Sequence, residues 1–284
     1  MTLLLRILIG FVFVFSSFPQ VLLAQEWQEL KGEHFVVYFA QNRNFASKVL
    51  RKAERDYDRI ASDLGYIRYS NFWTWSNRVK IYIHSDHESF IKASGQPNWS
   101  EGMADYRNKE IHSYSGSNNF LIAVLPHEMA HLIFRDFVGF EGEVPLWLDE
   151  GVAQWEEEVD KKRIIQATKE FLRQKIFLSL RDLMDLDIRF VKDTDQVHLR
   201  STLLDGQQGF IIIDGKNLVS LYYMESASLV GFLIERYGTD KFTEFCRQLR
   251  EGKNLEESLR FTYPTYLRNL DDLEEKWIAY LREE

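Results

Sequence analysis

The stretch that decides the fold is residues 120–134, FLIAVLPHEMAHLIF, in which His127, Glu128 and His131 interrupt an apolar run. On a helix, residues i and i+4 lie one turn apart on the same face, so the two imidazoles can point at one metal ion. Glu128 lies about 100° around the helix from His127, close enough to reach a water molecule bound to that metal. The motif H-E-x-x-H therefore predicts two zinc ligands with a general base beside them.

A third ligand is required, because a catalytic zinc ion takes three protein ligands and keeps one position open for water. The segment 145–153, PLWLDEGVA, supplies Glu150, which follows His131 after 18 intervening residues. This length allows the first helix to end, a glycine-containing turn to form, and a second antiparallel helix to begin near Pro145. Glu150 would then face the two histidines, and the predicted ligand set is His127, His131 and Glu150.

Two other interpretations of these residues stay open. An ordinary amphipathic helix with two polar residues on its inner face can produce the same motif by chance. A protein can also keep its metal ligands after losing catalysis. Glu128 argues against that second interpretation, because a purely structural zinc ion has no use for a base beside it.

The two segments together resemble the gluzincin metallopeptidases, in which H-E-x-x-H is followed by the Glu of a W-L-x-E-G-x-A motif. The matching residues are 124–131 (VLPHEMAH) and 145–153 (PLWLDEGVA). The chain is most similar to the bacterial peptidase MA-like proteins and more distantly to the M1 aminopeptidases. The resemblance implies an enzyme, a zinc-dependent metallopeptidase that hydrolyses peptide bonds with Glu128 as general base on the zinc-bound water.

The resemblance also implies a donor for the negative oxygen that develops in the transition state. In gluzincins, a Tyr or His of the helical lobe has this role. The best match here is Tyr223, in the segment 222–228 (YYMESAS), which resembles the Tyr-x-x-Ser start of the family's helix. Tyr222 and Tyr263 are alternatives, and all three tyrosines could equally be ordinary aromatic residues.

A second family motif matches poorly. The M1 aminopeptidases carry a G-x-M-E-N motif whose Glu anchors the free amino terminus of the substrate. The corresponding segment here is 101–105 (EGMAD), with Ala104 in place of that Glu. The resemblance therefore implies a peptidase that is not an aminopeptidase, with Asp105 as a substitute anchor if one exists. His112 is a candidate for substrate contact or for simple exposure.

Patterns of strand and helix surround these motifs. Runs rich in β-branched and aromatic residues indicate strands at 34–39, 79–83, 103–106, 110–114 and 210–213. The two at 103–106 and 110–114 read as a hairpin, and the last reads as an isolated strand. Helical spacing dominates the sequence after Glu150. The expected fold is α+β and zincin-like, with a small N-terminal mixed β-sheet and the active-site helix in residues 25–155, followed by a mainly helical C-terminal lobe in residues 156–284.

The first 24 residues have the composition of a signal peptide. Arg6 precedes the apolar run 7–18, and Ala24 is a small residue at a suitable cleavage position. The run is shorter than the roughly 20 apolar residues of a transmembrane span, so cleavage is favoured over an anchor. We therefore expect an exported protein, periplasmic or extracellular in a bacterium, with no stable membrane insertion after cleavage.

Charge and cysteine content exclude several classes. The net charge is −8, and it becomes −9 without residues 1–24 because they contain Arg6 and no acid. Such an acidic chain does not have the charge of a nucleic-acid-binding protein. Cys246 is the only cysteine, which excludes an intramolecular disulfide. The expected cofactor is Zn²⁺ and the expected partner is a peptide or protein substrate. The alternative function is a non-catalytic, zinc-containing peptide- or protein-binding protein of the cell envelope.

Overall fold

The structure, a computed structural model, describes residues 26–66, 73–98, 100–117, 119–139, 144–158 and 160–283. The predicted signal peptide, residues 1–24, lies outside the described residues. Most of the turn expected between the two motif helices, residues 140–143, also lies outside them.

A five-stranded mixed sheet forms the N-terminal half. Its strands are β1 (Gln28–Lys31), β2 (Phe35–Phe39), β3 (Val79–His84), β4 (Gly102–Asp105) and β5 (Glu110–Tyr114). They are ordered β1-β2-β3-β5-β4, with β2, β3 and β5 parallel and with β1 and β4 as antiparallel edges. Alternate residues face the core, as Val79 and Ile81 do in β3. The expected β4–β5 hairpin is confirmed, whereas β1 was not predicted.

Two helices accompany the sheet, α1 (Arg43–Asp63) and α2 (His87–Ser94). The α1 helix begins after Asn42, whose side chain accepts a hydrogen bond of 3.1 Å from the Phe45 amide. It is followed by Gly65, whose φ of +78° is a conformation that favours glycine. The buried face of α1 packs on β2 and on the first motif helix. Several of its side chains are completely buried, among them Val49, Ala53, Tyr57 and Ile60.

Both motifs lie on helices. The first motif lies on α3 (Leu125–Phe134), which has single π-helical segments directly before and after it, Phe120–Val124 and Arg135–Gly139. The second lies on α4 (Leu146–Trp155), which begins directly after Pro145. The α3 helix contacts α1, β4 and α4. It therefore lies between the sheet and the helical half of the molecule.

The C-terminal half is mainly helical. Its helices are α5 (Lys161–Arg173), α6 (Leu180–Asp185), α7 (Gly215–Tyr237), α8 (Thr239–Arg250), α9 (Leu255–Thr262) and α10 (Leu270–Glu283). The α7 helix contacts α4, α5, α8 and α10. By length and composition alone it could span a membrane, but 67% of its most apolar window is buried inside the fold, as in the core helix of a soluble protein.

The structure confirms the predicted fold class at the level of a mixed α/β protein with a small N-terminal sheet. The strand expected at 210–213 is confirmed, but the prediction that it is isolated is wrong. It belongs to β7 (Gln208–Asp214), which pairs antiparallel with β6 (Gln196–Thr202) along its full length. The β6 strand escaped prediction because its outward residues are polar and only Val197 and Leu199 provide an apolar face.

The two halves share one hydrophobic core, which continues across residue 155. Its tightest contact joins α4 to α7. A methyl group added at Gly151 would lie 2.6 Å from the carbonyl oxygen of Ser226, and one added at Gly231 would lie 2.4 Å from the Trp155 ring. Glycine at these two positions lets the helices approach closely. Since Glu150 precedes Gly151, this contact also fixes the position of the third predicted ligand.

Gly151→Ala is expected to destabilise the fold by about 1–3 kcal/mol, because the methyl group overlaps the Ser226 carbonyl. The same change is expected to displace the Glu150 carboxylate and to weaken zinc binding. Urea unfolding measures the first effect and zinc titration the second. Ser220→Ala, on the exposed face of α7, is the control. Equal stability of the Gly151→Ala variant and the wild type would contradict the tight packing.

Candidate metal centre

The three predicted ligands lie together. His127 Nε2 and His131 Nε2 are 3.2 Å apart, and Glu150 Oε2 lies 3.7 Å from the first and 3.6 Å from the second. A tetrahedral zinc ion with bonds of about 2.1 Å would place its ligand atoms roughly 3.4 Å apart. The His-His-Glu donor set is also one that zinc uses in catalytic sites. These residues therefore fit a zinc ion in both distance and chemistry.

Each histidine presents Nε2 because a carboxylate contacts its other nitrogen. His127 Nδ1 lies 3.0 Å from Glu157 Oε1. His131 Nδ1 lies 2.9 Å from Asp149 Oδ1, an ion-pair contact rather than an aligned hydrogen bond. Carboxylates in this position keep the proton on Nδ1, so that Nε2 remains available to a metal. Asp149 directly precedes the predicted ligand Glu150 in α4, whereas Glu157 lies just beyond the end of this helix.

A second layer of residues holds these carboxylates. Arg135 donates a hydrogen bond of 2.6 Å to Asp149 Oδ2, and its guanidinium lies 4.3 Å from the centre of the Tyr106 ring. Asp149 is thus fixed between His131 and Arg135. The Arg135 contact with Tyr106 connects the π-helical segment after α3 to the turn that follows β4.

The α1 helix holds the chain around Glu157. The neighbouring residues Glu156 and Glu158 form ion pairs with Arg59 at 2.7 Å and Lys52 at 2.9 Å, respectively. Arg59 also donates to the Glu156 carbonyl oxygen at 2.6 Å. These contacts leave the Glu157 side chain directed at His127. The Glu156 side chain of this ion pair is fully buried, and its burial raises the pKa of Glu156 to about 7.

The pKa values of the three candidate ligands reflect this crowding of charge. Burial lowers the pKa of His127, but hydrogen bonds with Glu150 and Glu157 outweigh it and raise the value to about 9. Asp149 and Glu150 likewise hold the pKa of His131 well above its usual value, against the effect of burial. Burial opposes ionisation of Glu150, yet the two histidines hold its pKa well below the usual range. A metal that binds here displaces protons, so its affinity falls as the pH decreases below these histidine pKa values.

Glu128, the predicted general base, lies beside the cluster and is half-buried. Burial raises its pKa, while the two histidines and a hydrogen bond with the Ala104 amide lower it. Ala104 belongs to β4, an edge strand of the sheet, and β4 contacts α3. Glu128 therefore lies between the candidate ligands and the edge of the sheet.

Of the three candidate tyrosines, only Tyr223 is described next to the ligands. Its ring centre is 6.3 Å from that of His127, and burial with the Glu150 charge and hydrogen bond raises its pKa. The Tyr222 side chain is fully buried, and its hydroxyl has no hydrogen-bond partner among the described residues. Tyr263 packs in the C-terminal half, where its ring centre is 5.0 Å from that of Tyr237.

Tyr106 is a second tyrosine at the centre, and sequence reasoning missed it. Its ring centre lies 5.9 Å from that of His131, and its side chain keeps 38% of its surface exposed. Burial and the charges of Glu128 and Asp149 raise its pKa. Tyr106 and Tyr223 thus flank the centre on the sides of His131 and His127. The sequence around Tyr106 contains no motif that predicts a place at the candidate centre, because the residue lies near His131 only through the folded turn of the hairpin.

Two other candidates lie elsewhere. His112 stacks on Tyr82 with ring centres 4.8 Å apart, and its neighbours Ile111 and Ser113 are buried. Since strand residues alternate, His112 lies on the outer face of the sheet, away from the metal centre. The Asp105 carboxylate accepts hydrogen bonds from the amides of the following turn, at 2.9 and 3.1 Å. The Asp105 carboxylate is therefore engaged in the turn.

Glu157→Gln is expected to weaken zinc affinity roughly 10–100-fold, because it removes the carboxylate that orients His127. Glu170→Gln, on the exposed face of α5, is the charge-matched control, since Glu170 pairs with Arg173 of the same helix. Competition against a chromogenic chelator measures both affinities. If the two variants bind zinc equally well, Glu157 does not support the metal centre.

Comparison with known proteins gives no family assignment. The chain matches no protein-family model. No curated protein matches it either. The interpretation of the metal centre therefore depends on the residues and geometry of this chain.

Proposed function

We propose that this chain is a zinc-dependent peptidase of the gluzincin type with a zincin-like fold. The main support is the grouping of His127, His131 and Glu150 within 4.8 Å of one another, with Glu128 on the same helix. The order of elements agrees with this proposal, because the sheet comes first and the motif helix follows it. We also propose that the chain is related to the peptidase MA-like proteins, which its two motifs resemble.

His127, His131 and Glu150 would hold the metal, with Asp149 and Glu157 orienting the histidines. When bound, a zinc ion supplies Lewis-acid activation of water and polarisation of a carbonyl group. Glu128 accepts the proton of the attacking water and delivers it to the leaving amine. The raised pKa that burial gives Glu128 makes it a stronger base for this transfer.

The two tyrosines have different proposed roles. Tyr223 donates its phenolic hydrogen to the oxygen that becomes negative in the transition state, because it lies beside His127 and Glu150. Tyr106 forms the opposite wall of the centre, where Arg135 holds its ring. A substrate between them would contact one phenol on each side.

The proposed substrate is a peptide or protein cut internally. The edge strand β4 contacts the metal-binding helix, and the free side of an edge strand can pair with an extended peptide. Ala104 offers no carboxylate for a free amino terminus, and Asp105 is engaged in its own turn. This arrangement favours endopeptidase over aminopeptidase action.

The proposal places the enzyme outside the cytoplasm of a bacterium, in the periplasm or beyond. The support is the composition of residues 1–24, with Arg6 before an apolar run and Ala24 at the end. Cleavage after Ala24 would remove the apolar run 7–18 from the enzyme.

Glu128→Gln is expected to reduce cleavage of an internally quenched peptide library with blocked termini by at least about 100-fold, because the base is lost. Zinc content is expected to remain stoichiometric, since Glu128 is not a ligand. His127→Ala is the control that loses both zinc and cleavage. Wild type that binds zinc without cleaving any peptide would favour the non-catalytic binding protein, and wild type that binds no zinc would overturn the proposal.

Tyr223→Phe is expected to lower kcat by roughly 100–1,000-fold with little change in KM, because its hydroxyl acts in the transition state. Tyr222→Phe removes the same atom from the adjacent, fully buried residue and is expected to retain activity. Steady-state kinetics with a single cleaved peptide distinguishes the two. An equal loss of kcat in both variants would assign the effect to packing.

A further inference from the structure

A cavity of about 740 Å³ lies in the C-terminal half, between α7, α8, α10 and the loop after α9. Its lining comes entirely from residues 232–283, so it shares no residue with the metal centre. Its volume lies in the range of pockets that hold small ligands, roughly 300–1,000 Å³. Two chemical features distinguish its wall, a group of aromatic rings and a group of cations.

The aromatic group is contiguous. The Tyr237 ring centre lies 5.5 Å from that of Phe232, 5.0 Å from Tyr263 and 5.6 Å from Tyr266. Tyr280 continues the group, 5.4 Å from Phe232. Rings joined in this way form a stiff wall, and the accessible parts of Tyr237 and Tyr266 suit contact with a planar aromatic guest. Tyr266 remains 58% exposed, so part of this aromatic surface is open to solvent.

Arg236, Lys241 and Lys276 are the cations that line the same cavity, and Glu283 is the acid in its lining. Lys276 also lies 3.6 Å from Glu275. Arg236 lies 3.6 Å from Glu283, which is beyond a good hydrogen bond. Lys241 uses one of its three donors on the Thr262 carbonyl oxygen at 3.0 Å. These groups keep donors for another anion. The lining itself contains three cations and one acid, in contrast with the net charge of −8 on the whole chain.

We propose that this cavity binds a carboxylate that carries an aromatic ring, either the C-terminal aromatic residue of a peptide or a free aryl acid. The ring packs against the Tyr237 group, and the carboxylate accepts hydrogen bonds from Arg236 and Lys276. Both sources share this chemistry. The proposal does not rest on the peptidase activity, because the cavity and the metal centre have no lining residue in common.

Isothermal titration calorimetry of the full chain tests the proposal with four compounds. N-acetylphenylalanine represents a peptide C-terminus and 3-phenylpropanoate represents a free aryl acid. N-acetylphenylalaninamide lacks the charge, and N-acetylalanine lacks the ring. At least one of the two aromatic acids is expected to bind roughly tenfold more tightly than either N-acetylphenylalaninamide or N-acetylalanine. Equal binding of the amide would overturn the proposal.

Variants locate the binding. The double variant Arg236→Gln/Lys276→Gln is expected to weaken binding at least roughly tenfold, and Lys48→Gln/Arg51→Gln, on the exposed face of α1, is its charge-matched control. Ala279→Trp keeps every charge and is expected to abolish binding by filling the cavity. His127→Ala distinguishes this site from the metal centre, which can also attract carboxylates.

The outcomes separate cleanly. Binding that survives in His127→Ala and is lost in the cavity variants supports the cavity, whether or not the chain cleaves peptides. Loss of binding in His127→Ala alone would place the acid at the metal centre and overturn the inference. Absence of saturable binding up to the solubility of both acids would overturn it as well.

Discussion

The position of α4 is the constraint on which the geometry of the candidate metal centre depends. This helix carries Asp149 and Glu150, and the chain that leaves it carries Glu157. Its close contact with α7 at Gly151 sets its depth in the core, and the ion pairs of α1 with residues 156 and 158 hold its end. The α3 helix supplies both histidines. The carboxylates of α4 and of the segment after it contact Nδ1 of the two rings, so Nε2 of each ring faces the common point.

Charge explains why a metal suits this point. Four carboxylates crowd around the two histidines, those of Glu128, Asp149, Glu150 and Glu157. Arg135 is the cation paired with Asp149. Buried carboxylates need compensation, which protons on the histidines supply in the absence of a metal. A divalent cation bound to Nε2 of both rings would supply this compensating charge at a single position, in place of the two protons.

Helical periodicity and sequence spacing were enough to predict the candidate ligands His127, His131 and Glu150, because each depends on local structure or on two adjacent helices. The supporting residues were beyond such reasoning. Glu157 lies next to His127 in a segment after α4 that is held by an ion pair between Glu156 and Arg59, two residues that are 97 positions apart in the chain. Tyr106 lies in the turn of the β4–β5 hairpin, next to His131. The pairing of this hairpin was predicted, but its position relative to α3 was not. The positions of these supporting residues depend on tertiary packing and cannot be predicted from a local sequence pattern.

The α7 helix connects the two proposed sites. It places Tyr223 beside the metal centre, while Phe232, Arg236 and Tyr237 line the cavity further along. The 13 residues from position 223 to position 236 span about 20 Å on a helix. The α7 helix is buried over most of its length and packs closely on α4 at Gly151. Ser226, the residue that Gly151 approaches, lies on α7 between Tyr223 and the cavity residues, so the packing that holds Glu150 in place also fixes the position of α7 between the two proposed sites.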